Sequence, residues 1–500
     1  MSNELASASI GLLVVTATIL LYYIRCRTAR IIKEAKKEYG PSAEPCSPGD
    51  YMWKLDTEYN KCMISAAMIV RNGTLEDLNV VTEKLIQDPW FRRFTDRLAL
   101  FENMPFWVKD TQFKKENHVH RVLLDVSQKP TNSAELKEWI GQTIVADLPI
   151  DRPLWKMVIL ENYEKCDDGS GDTMSCVLLM AHHVLGDGVA FSNMMMSMLD
   201  TESHVKGIKV EKKKKKPVSP TKSQVKPRQP FAWLTWLFVA LYTVPIMGKI
   251  MLSKADVNPF KTQNVSGRKV VGMLDTPIEM TRMNSVRNKL GMSVNDVFMG
   301  VISCALQRLF ARIEPDNDVE SIKAAMMVNM RSNPYAVKME NQFATPVFDM
   351  DVSNSDPLVA CNKMRPVMKG MKTTPISKVF FANIALVANL FPYIFNQTLL
   401  DYLASKTSCI LSNVPGPSER MYFNGKLLER ISAWSPQRKS VSFGMTMFTL
   451  GGKVNIGAIM DTGAADKAQA FVDEFVAVFE ELEMMVSEQV SAKSKVADAC

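Results

Sequence analysis

Five consecutive lysines, Lys212–Lys216, lie within a stretch from Lys206 to Pro230 that holds four prolines and few apolar residues. Such a segment buries too little to fold by itself and has the composition of a connector. It divides the 500-residue chain into two long parts, and each must supply a core of its own. With 47% hydrophobic and 23% charged residues, both parts can do so, and a disordered or fibrous protein is excluded. The organisation expected is a membrane-seeking segment with a basic stem at 1–45 and a first half at 46–203. A basic linker with an apolar segment follows at 204–255, then a second half at 256–490 and a tail at 491–500.

Three uncharged stretches interrupt this plan. Leu5 to Ile24 is about the 20 residues that cross a bilayer as a helix. Arg25, Arg27, Arg30, Lys33, Lys36 and Lys37 follow it and Glu4 precedes it. Positive charge stays cytosolic, so the expectation is an uncleaved transmembrane helix with the body of the chain in the cytosol. A cleaved signal peptide carries its charge before the apolar run instead. Phe231 to Gly248 is long enough to span a membrane, but Trp233, Trp236 and Tyr242 with cations on both flanks suit a helix lying in the interface better. Val379 to Leu400 contains Pro392 and three asparagines, which favours a helical hairpin over a simple span. The net charge of +7 is concentrated beside apolar segments, and that points to a membrane surface rather than nucleic acid. The expected location is a membrane, the endoplasmic reticulum or a lipid droplet. Nine cysteines without a CxxC pair read as free thiols in a reducing compartment.

Local patterns predict mixed α/β halves. Val119–Val126 and Met174–Ala181 have strand character, while Leu75–Ile86 and Val189–Leu199 have helical character. In the second half, Ser293 with Asp296 three places later forms a capping box ahead of a helix to about Ile313. Val441–Leu450 and Lys453–Met460, joined by Gly451-Gly452, read as a hairpin. Phe471, Phe475, Val478, Phe479, Leu482 and Met485 share one face of a last helix.

Chemistry is concentrated at His182-His183-Val184-Leu185-Gly186-Asp187-Gly188, where an apolar strand runs into a polar loop. An imidazole delivered there can take a proton near neutral pH, Gly186 and Gly188 permit a tight path, and Asp187 could orient a histidine or lock the loop. Metal binding is the rival, but side chains of adjacent strand residues point to opposite faces and no other His or Cys cluster completes a site. On spacing alone, a structural histidine pair is equally well served. No nucleophile elbow, P-loop, dinucleotide fingerprint or HExxH helix occurs.

His182–Gly188 resembles the HHxxxDG motif of CoA-dependent acyltransferases. Pro153-Leu154-Trp155, Asn295-Asp296 and Ser412-Asn413-Val414-Pro415-Gly416-Pro417 resemble the PLW, ND and SNVPGP motifs of the wax ester synthase/diacylglycerol acyltransferase family. Trp107, Phe113 and His118-Val119 resemble a further early pattern. The resemblance runs from about residue 50 to 485. It implies an α/β, chloramphenicol acetyltransferase-like two-domain pseudodimer; the N-terminal transmembrane helix expected from the residues is an addition that is not general in the family. It also implies that His183 is the general base, with His182 and Gly188 supporting it and Asp187 bracing the loop through an arginine. Asn295, Asp296, Ser412 and Asn413 are expected to support the site from the second half. The implied substrates are acyl-CoA and a long-chain alcohol or diacylglycerol, with no bound cofactor and no metal. Glu340-Asn341 departs from the family's usual Gly-Asn, so that turn is expected to differ. An acyltransferase for another hydroxyl acceptor and a non-catalytic membrane or lipid-droplet protein of the same fold are the alternatives.

Overall fold

The computed structural model of the chain describes residues 22–23, 25–54, 56–125, 128–205, 232–262, 264–390 and 393–497. The expected anchor Leu5–Ile24 lies outside the described residues apart from Tyr22 and Tyr23, as does the lysine run. The chain separates into two compact units.

The smaller unit draws on residues up to 47 with 92–114 and 149–154. A helix over 25–39 carries the basic stem. Beside it stands an antiparallel sheet of Glu44–Pro45, Met104–Lys109 and Asp96–Phe101. Ile31 and Ala35 of the helix meet Ala99, Phe106 and Val108 of the sheet in a common core. Arg30 is held by Glu34 and Glu102 at 2.9 and 2.8 Å.

The larger unit comprises 48–91, 115–148 and 155 onwards. Its first half supplies strands β1 (Met63–Arg71), β2 (Val119–Arg121), β3 (Trp155–Lys165), β4 (Thr173–His182) and β5 (Asp200–Thr201). It also supplies helices α1 (Leu75–Gln87), α2 (Ser133–Thr143) and α3 (Gly188–Met198). The second half supplies β6 (Lys269–Met273), β7 (Ile278–Glu279), β8 (Ser321–Met326), β9 (Val347–Asp351), β10 (Cys409–Val414), β11 (Met421–Phe423), β12 (Lys426–Trp434), β13 (Phe443–Leu450) and β14 (Lys453–Asp461). Its helices are α4 (Ala232–Leu252), α5 (Met280–Leu290), α6 (Val294–Ile313), α7 (Pro357–Thr373), α8 (Ile376–Leu390), α9 (Tyr393–Lys406) and α10 (Ala468–Ala497).

The described residues form two seven-stranded sheets that do not follow the division of the chain. The first runs β2-β3-β4-β1-β12-β11-β5, and the second runs β7-β14-β13-β10-β8-β9 with β6 beside β14. Thus β12, from the second half, completes the first half's sheet: Trp434 pairs with Ser65 and Leu428 with Val70. A second link is the core that Leu136 and Ile140 of α2 share with Val271 and Met273 of β6. There α2 approaches so closely that a Cβ added at Gly141 would stand 2.5 Å from the Lys269 carbonyl oxygen.

Local chemistry explains most elements. Thr74 and Asp77 cap α1 reciprocally, as Ser293 and Asp296 cap α6, satisfying main-chain donors that the first turn leaves free. Gly451 and Gly452, both at positive φ, turn β13 into β14. Phe471, Phe475, Val478, Phe479 and Leu482 of α10 are fully buried against α6 and the second sheet. The strand expected over Val119–Val126 is shorter, because the chain leaves the sheet after Arg121 and Leu123 is 86% exposed. Among the described residues, one helix is long and apolar enough to cross a membrane, and it is α6, 72% buried in the second core.

Candidate active site

Strand β4 ends at His182, and residues His183–Leu185 make a single 3-10 turn before α3 begins at Gly188. The two histidines part at this point. His182 accepts a hydrogen bond from the Val184 main-chain N–H at Nδ1, 3.1 Å away, so the proton of its neutral form lies on Nε2. That nitrogen stands 3.0 Å from Oδ2 of Asp56 and donates to it. Burial works against the Asp56 charge, but the His182 contact and the Cys62 N–H keep its carboxyl below the ordinary range.

His183 is held by its main chain. Its N–H donates to the Cys62 carbonyl at 2.8 Å, and its carbonyl accepts from Asn341 Nδ2 at 2.9 Å. The ring packs against Trp53 and Phe343, with centroids 5.0 and 5.4 Å away. Nδ1 is buried with no hydrogen-bond partner among the described residues. Burial pushes the imidazole down from 6.5 to about 4, although the nearby Asp187 charge opposes that shift. At neutral pH the ring is therefore uncharged.

Asp187 is fully engaged elsewhere. Oδ1 caps α3 by accepting from the Ala190 N–H at 3.0 Å, and Oδ2 accepts from Arg331 at 2.8 Å and from the Gln342 N–H at 2.9 Å. Arg331 also donates to the Glu340 carbonyl at 2.6 Å. In the turn that departs from Gly-Asn, the Glu340 side chain faces Lys338 and Gln342. Asn341 secures the turn by donating from its main chain and side chain to Asp50, at 2.7 and 3.0 Å.

The SNVPGP segment leaves β10 and meets α3, where Ser192 donates to the Pro415 carbonyl at 3.1 Å. Gly416 is required there, since a Cβ would stand 2.0 Å from the Thr449 carbonyl oxygen. Asn413 donates to Asn295. Asp296 is occupied as the cap of α6 and by Lys372 at 3.0 Å.

These residues surround a cavity of about 450 Å³ lined by His183, Asp187, Gly188, Ser412 and Asn413. Asn295 and Asp296 are not in its lining; Asn295 stands behind it through Asn413. Alternation along the strands sets the walls. Ile64 and Ala66 of β1 and Leu179 of β4 face the cavity, while Ala67, Leu178 and Met180 face the core that lies beneath α2. Thr446 and Phe448 of β13 line it as well, and Met445 and Met447 face the second core. Two of the uncharged stretches and the helical turns that follow them complete it: Met247 and Met251 of α4, Ile384 and Val387 of α8, and Leu399 and Leu403 of α9. Among the described residues, no group of three or more His, Cys, Asp or Glu is placed to hold a metal ion.

Sequence reasoning missed Asp50, Trp53, Asp56 and Phe343, and left the arginine beside Asp187 unchosen. All belong to segments without motif spacing, and only the fold brings them to the loop. One further pairing was present in the sequence as two separate motifs. His118 donates from Nδ1 to the Trp155 carbonyl at 2.8 Å, and the two rings stack with centroids 4.7 Å apart.

Two sheets joined by an inserted strand, with a cavity between them, define the condensation-domain type of fold. The first condensation domain of the calcium-dependent antibiotic synthetase superposes with a TM-score of 0.56 at 10% identity, covering 89% of this chain and 96% of that one. A wax ester synthase/diacylglycerol acyltransferase from Marinobacter aquaeolei gives 0.61 at 18% identity, covering 89% and 100%. Residues 65–298 match the wax ester synthase/diacylglycerol acyltransferase catalytic domain, and 339–483 match the WS/DGAT C-terminal domain. The chain belongs to the wax ester synthase/diacylglycerol acyltransferase family and is an acyltransferase. Among its relatives is wax ester synthase/diacylglycerol acyltransferase 4 of Arabidopsis thaliana, 20% identical over 69% of this chain and 71% of that protein.

Proposed function

We propose that the chain transfers the acyl group of acyl-CoA to a long-chain fatty alcohol or diacylglycerol, forming wax ester or triacylglycerol, with His183 as the general base. The observation that carries this reading is an uncharged, buried imidazole in the wall of a largely apolar cavity. The apolar walls accept the hydrocarbon chains. His183 takes the hydroxyl proton as the oxygen attacks the thioester carbonyl. The tetrahedral intermediate then collapses, and the CoA sulfur leaves and is protonated. Asp187 and Arg331 position the loop, and Asp56 fixes His182 behind it.

The site works at a membrane surface. Helix α4 turns Met247 and Met251 to the cavity, while Leu241, Val244 and Leu252 are 62%, 76% and 89% exposed. Exposed apolar side chains on a wall of the reaction cavity suit contact with lipid. The Leu5–Ile24 segment adds a transmembrane anchor, with the endoplasmic reticulum or a lipid droplet as the site of action.

The test supplies membranes containing the full chain with labelled acyl-CoA and either acceptor, and separates the neutral lipids. His183→Ala is expected to lower ester formation by roughly 10² to 10⁴ with membrane association retained. Near-normal turnover in that variant overturns the role of His183.

A further inference from the structure

Beyond Thr407 and Val441, the cavity wall continues into a cluster of cations at the end of α9. Arg438 lines the cavity, and it shares the single carboxylate of Asp401 with Lys439, whose side chain is 55% exposed. Lys261 donates to the Thr407 carbonyl at 2.7 Å and Lys406 to the Ser253 carbonyl at 2.8 Å. Neither has a carboxylate partner among the described residues. Nearby, Lys323 is neutralised by Asp256 at 2.8 Å. Positive charge is therefore in excess, and burial with the Lys323 and Lys406 charges pushes Lys261 down to about 8 despite Asp256. A bound anion would relieve this.

The place is suitable as well as the charge. His182 pairs with Met63 on β1, and Trp434 of β12 pairs with Ser65 on the other side of the same strand. The chain leaving β12 toward Arg438 thus passes the histidine end of the sheet two strand spacings away, roughly 10 Å. Along this path Gln437 lines the cavity, spends its amide nitrogen on the Ser442 and Ile459 carbonyls, and leaves a buried Oε1 without a partner among the described residues. That oxygen can accept from an amide N–H.

We propose that Lys261, Lys406, Arg438 and Lys439 form the site that binds the phosphates of the acyl-CoA donor, with Gln437 accepting from its pantetheine arm. The proposal rests on the acyl-CoA reading above and assigns its nucleotide end to one side of the cavity. Phosphates are recognised by converging cations, and a cluster continuous with the reaction cavity orients the thioester toward His183. An anionic phospholipid headgroup offers similar chemistry but carries no thioester into the cavity.

The experiment compares full-length wild type with Lys406→Glu/Lys439→Glu and, separately, Lys261→Gln, using dodecanoyl-CoA and dodecanoyl-N-acetylcysteamine, which lacks all phosphates. The expected result is a KM for the CoA thioester raised about tenfold or more. KM for the truncated thioester stays unchanged, and inhibition by free CoA weakens in parallel. Equal effects on both thioesters, or none on either, overturn the proposal. So does loss of binding to phosphatidylserine vesicles with KM for the CoA thioester unchanged, which would make the anion a lipid headgroup. The base reading fails separately, through a His183→Ala variant that still turns over both thioesters.

Discussion

Asp187 and Arg331 meet at 2.8 Å with 6% and 2% of their side chains exposed, and their pairing ties the histidine loop to a residue 144 positions later in the chain. Each has further partners: the cap of α3 and the Gln342 N–H on one side, the Glu340 carbonyl on the other. The loop is therefore held by a buried ion pair, and the imidazole of His183 is left to face the cavity.

Breaking this pair on one side leaves a buried charge without its counterpart. Asp187→Ala is expected to cost roughly 3–5 kcal/mol of stability and to abolish ester formation through loss of the loop. Asp187→Asn combined with Arg331→Met should recover part of the stability. Thermal unfolding of the detergent-solubilised protein checks both, and an unshifted midpoint for Asp187→Ala would contradict the role of the pair.

The contact between Asp56 and His182 is expected to act on rate through position. Asp56→Ala leaves the buried Nε2–H of His182 unsatisfied, at a cost of about 1–3 kcal/mol, and lets the His183 main chain shift. The turnover number should fall by roughly an order of magnitude or more while the pH profile keeps its shape. A displaced profile would mean that Asp56 tunes the proton transfer itself.

Burial lowers the folded-state pKa of His183 from 6.5 to about 4, which sets the sign of the pH dependence. The base form persists as pH falls through 6.5, and its loss is centred near 4. The acid limb of kcat/KM for the acceptor, measured in short assays after a pH jump, should lie well below that of an ordinary imidazole. A limb near the ordinary histidine value would show that substrate or solvent rehydrates the ring.

Gly141→Ala tests the link between α2 and β6, where the added Cβ would stand 2.5 Å from the Lys269 carbonyl oxygen. Backbone cannot yield cheaply there, and a loss of about 1–3 kcal/mol is expected. Denaturant midpoints measure it, and a neutral result would mean that the two elements separate more readily than their shared core implies.

What could be read from the sequence was local. The hairpin around Gly451-Gly452, the capping box of Ser293 and Asp296, and the apolar face of α10 each depend on neighbours within a few residues, and each forms as expected. The His182–Gly188 loop was visible for the same reason. The partners of that loop were not, because Asp50, Asp56 and Arg331 reach it from distant segments whose own spacing carries no signal, and Asn341 was visible only as part of a turn that departs from Gly-Asn. The run at Val119–Val126 misled because its apolar residues continue past the point where β2 loses its neighbour. Asn295 and Asp296 could be read equally as site residues or helix cap; the structure shows Asp296 capping α6 and Asn295 bonded to Asn413.

The insertion of β12 beside β1 has a consequence for synthesis. While the chain emerges from the ribosome, β1 can pair with β4 on one edge but has nothing for the other until residue 434 has been made. Through all of that interval the nascent first sheet carries an open, strongly apolar edge, the kind of surface that recruits chaperones or other strands. Expressed alone and ending before the lysine run, the first half would retain that open edge permanently. Dividing this protein into two separately produced pieces should therefore succeed only where residues 421–434 travel with the N-terminal piece.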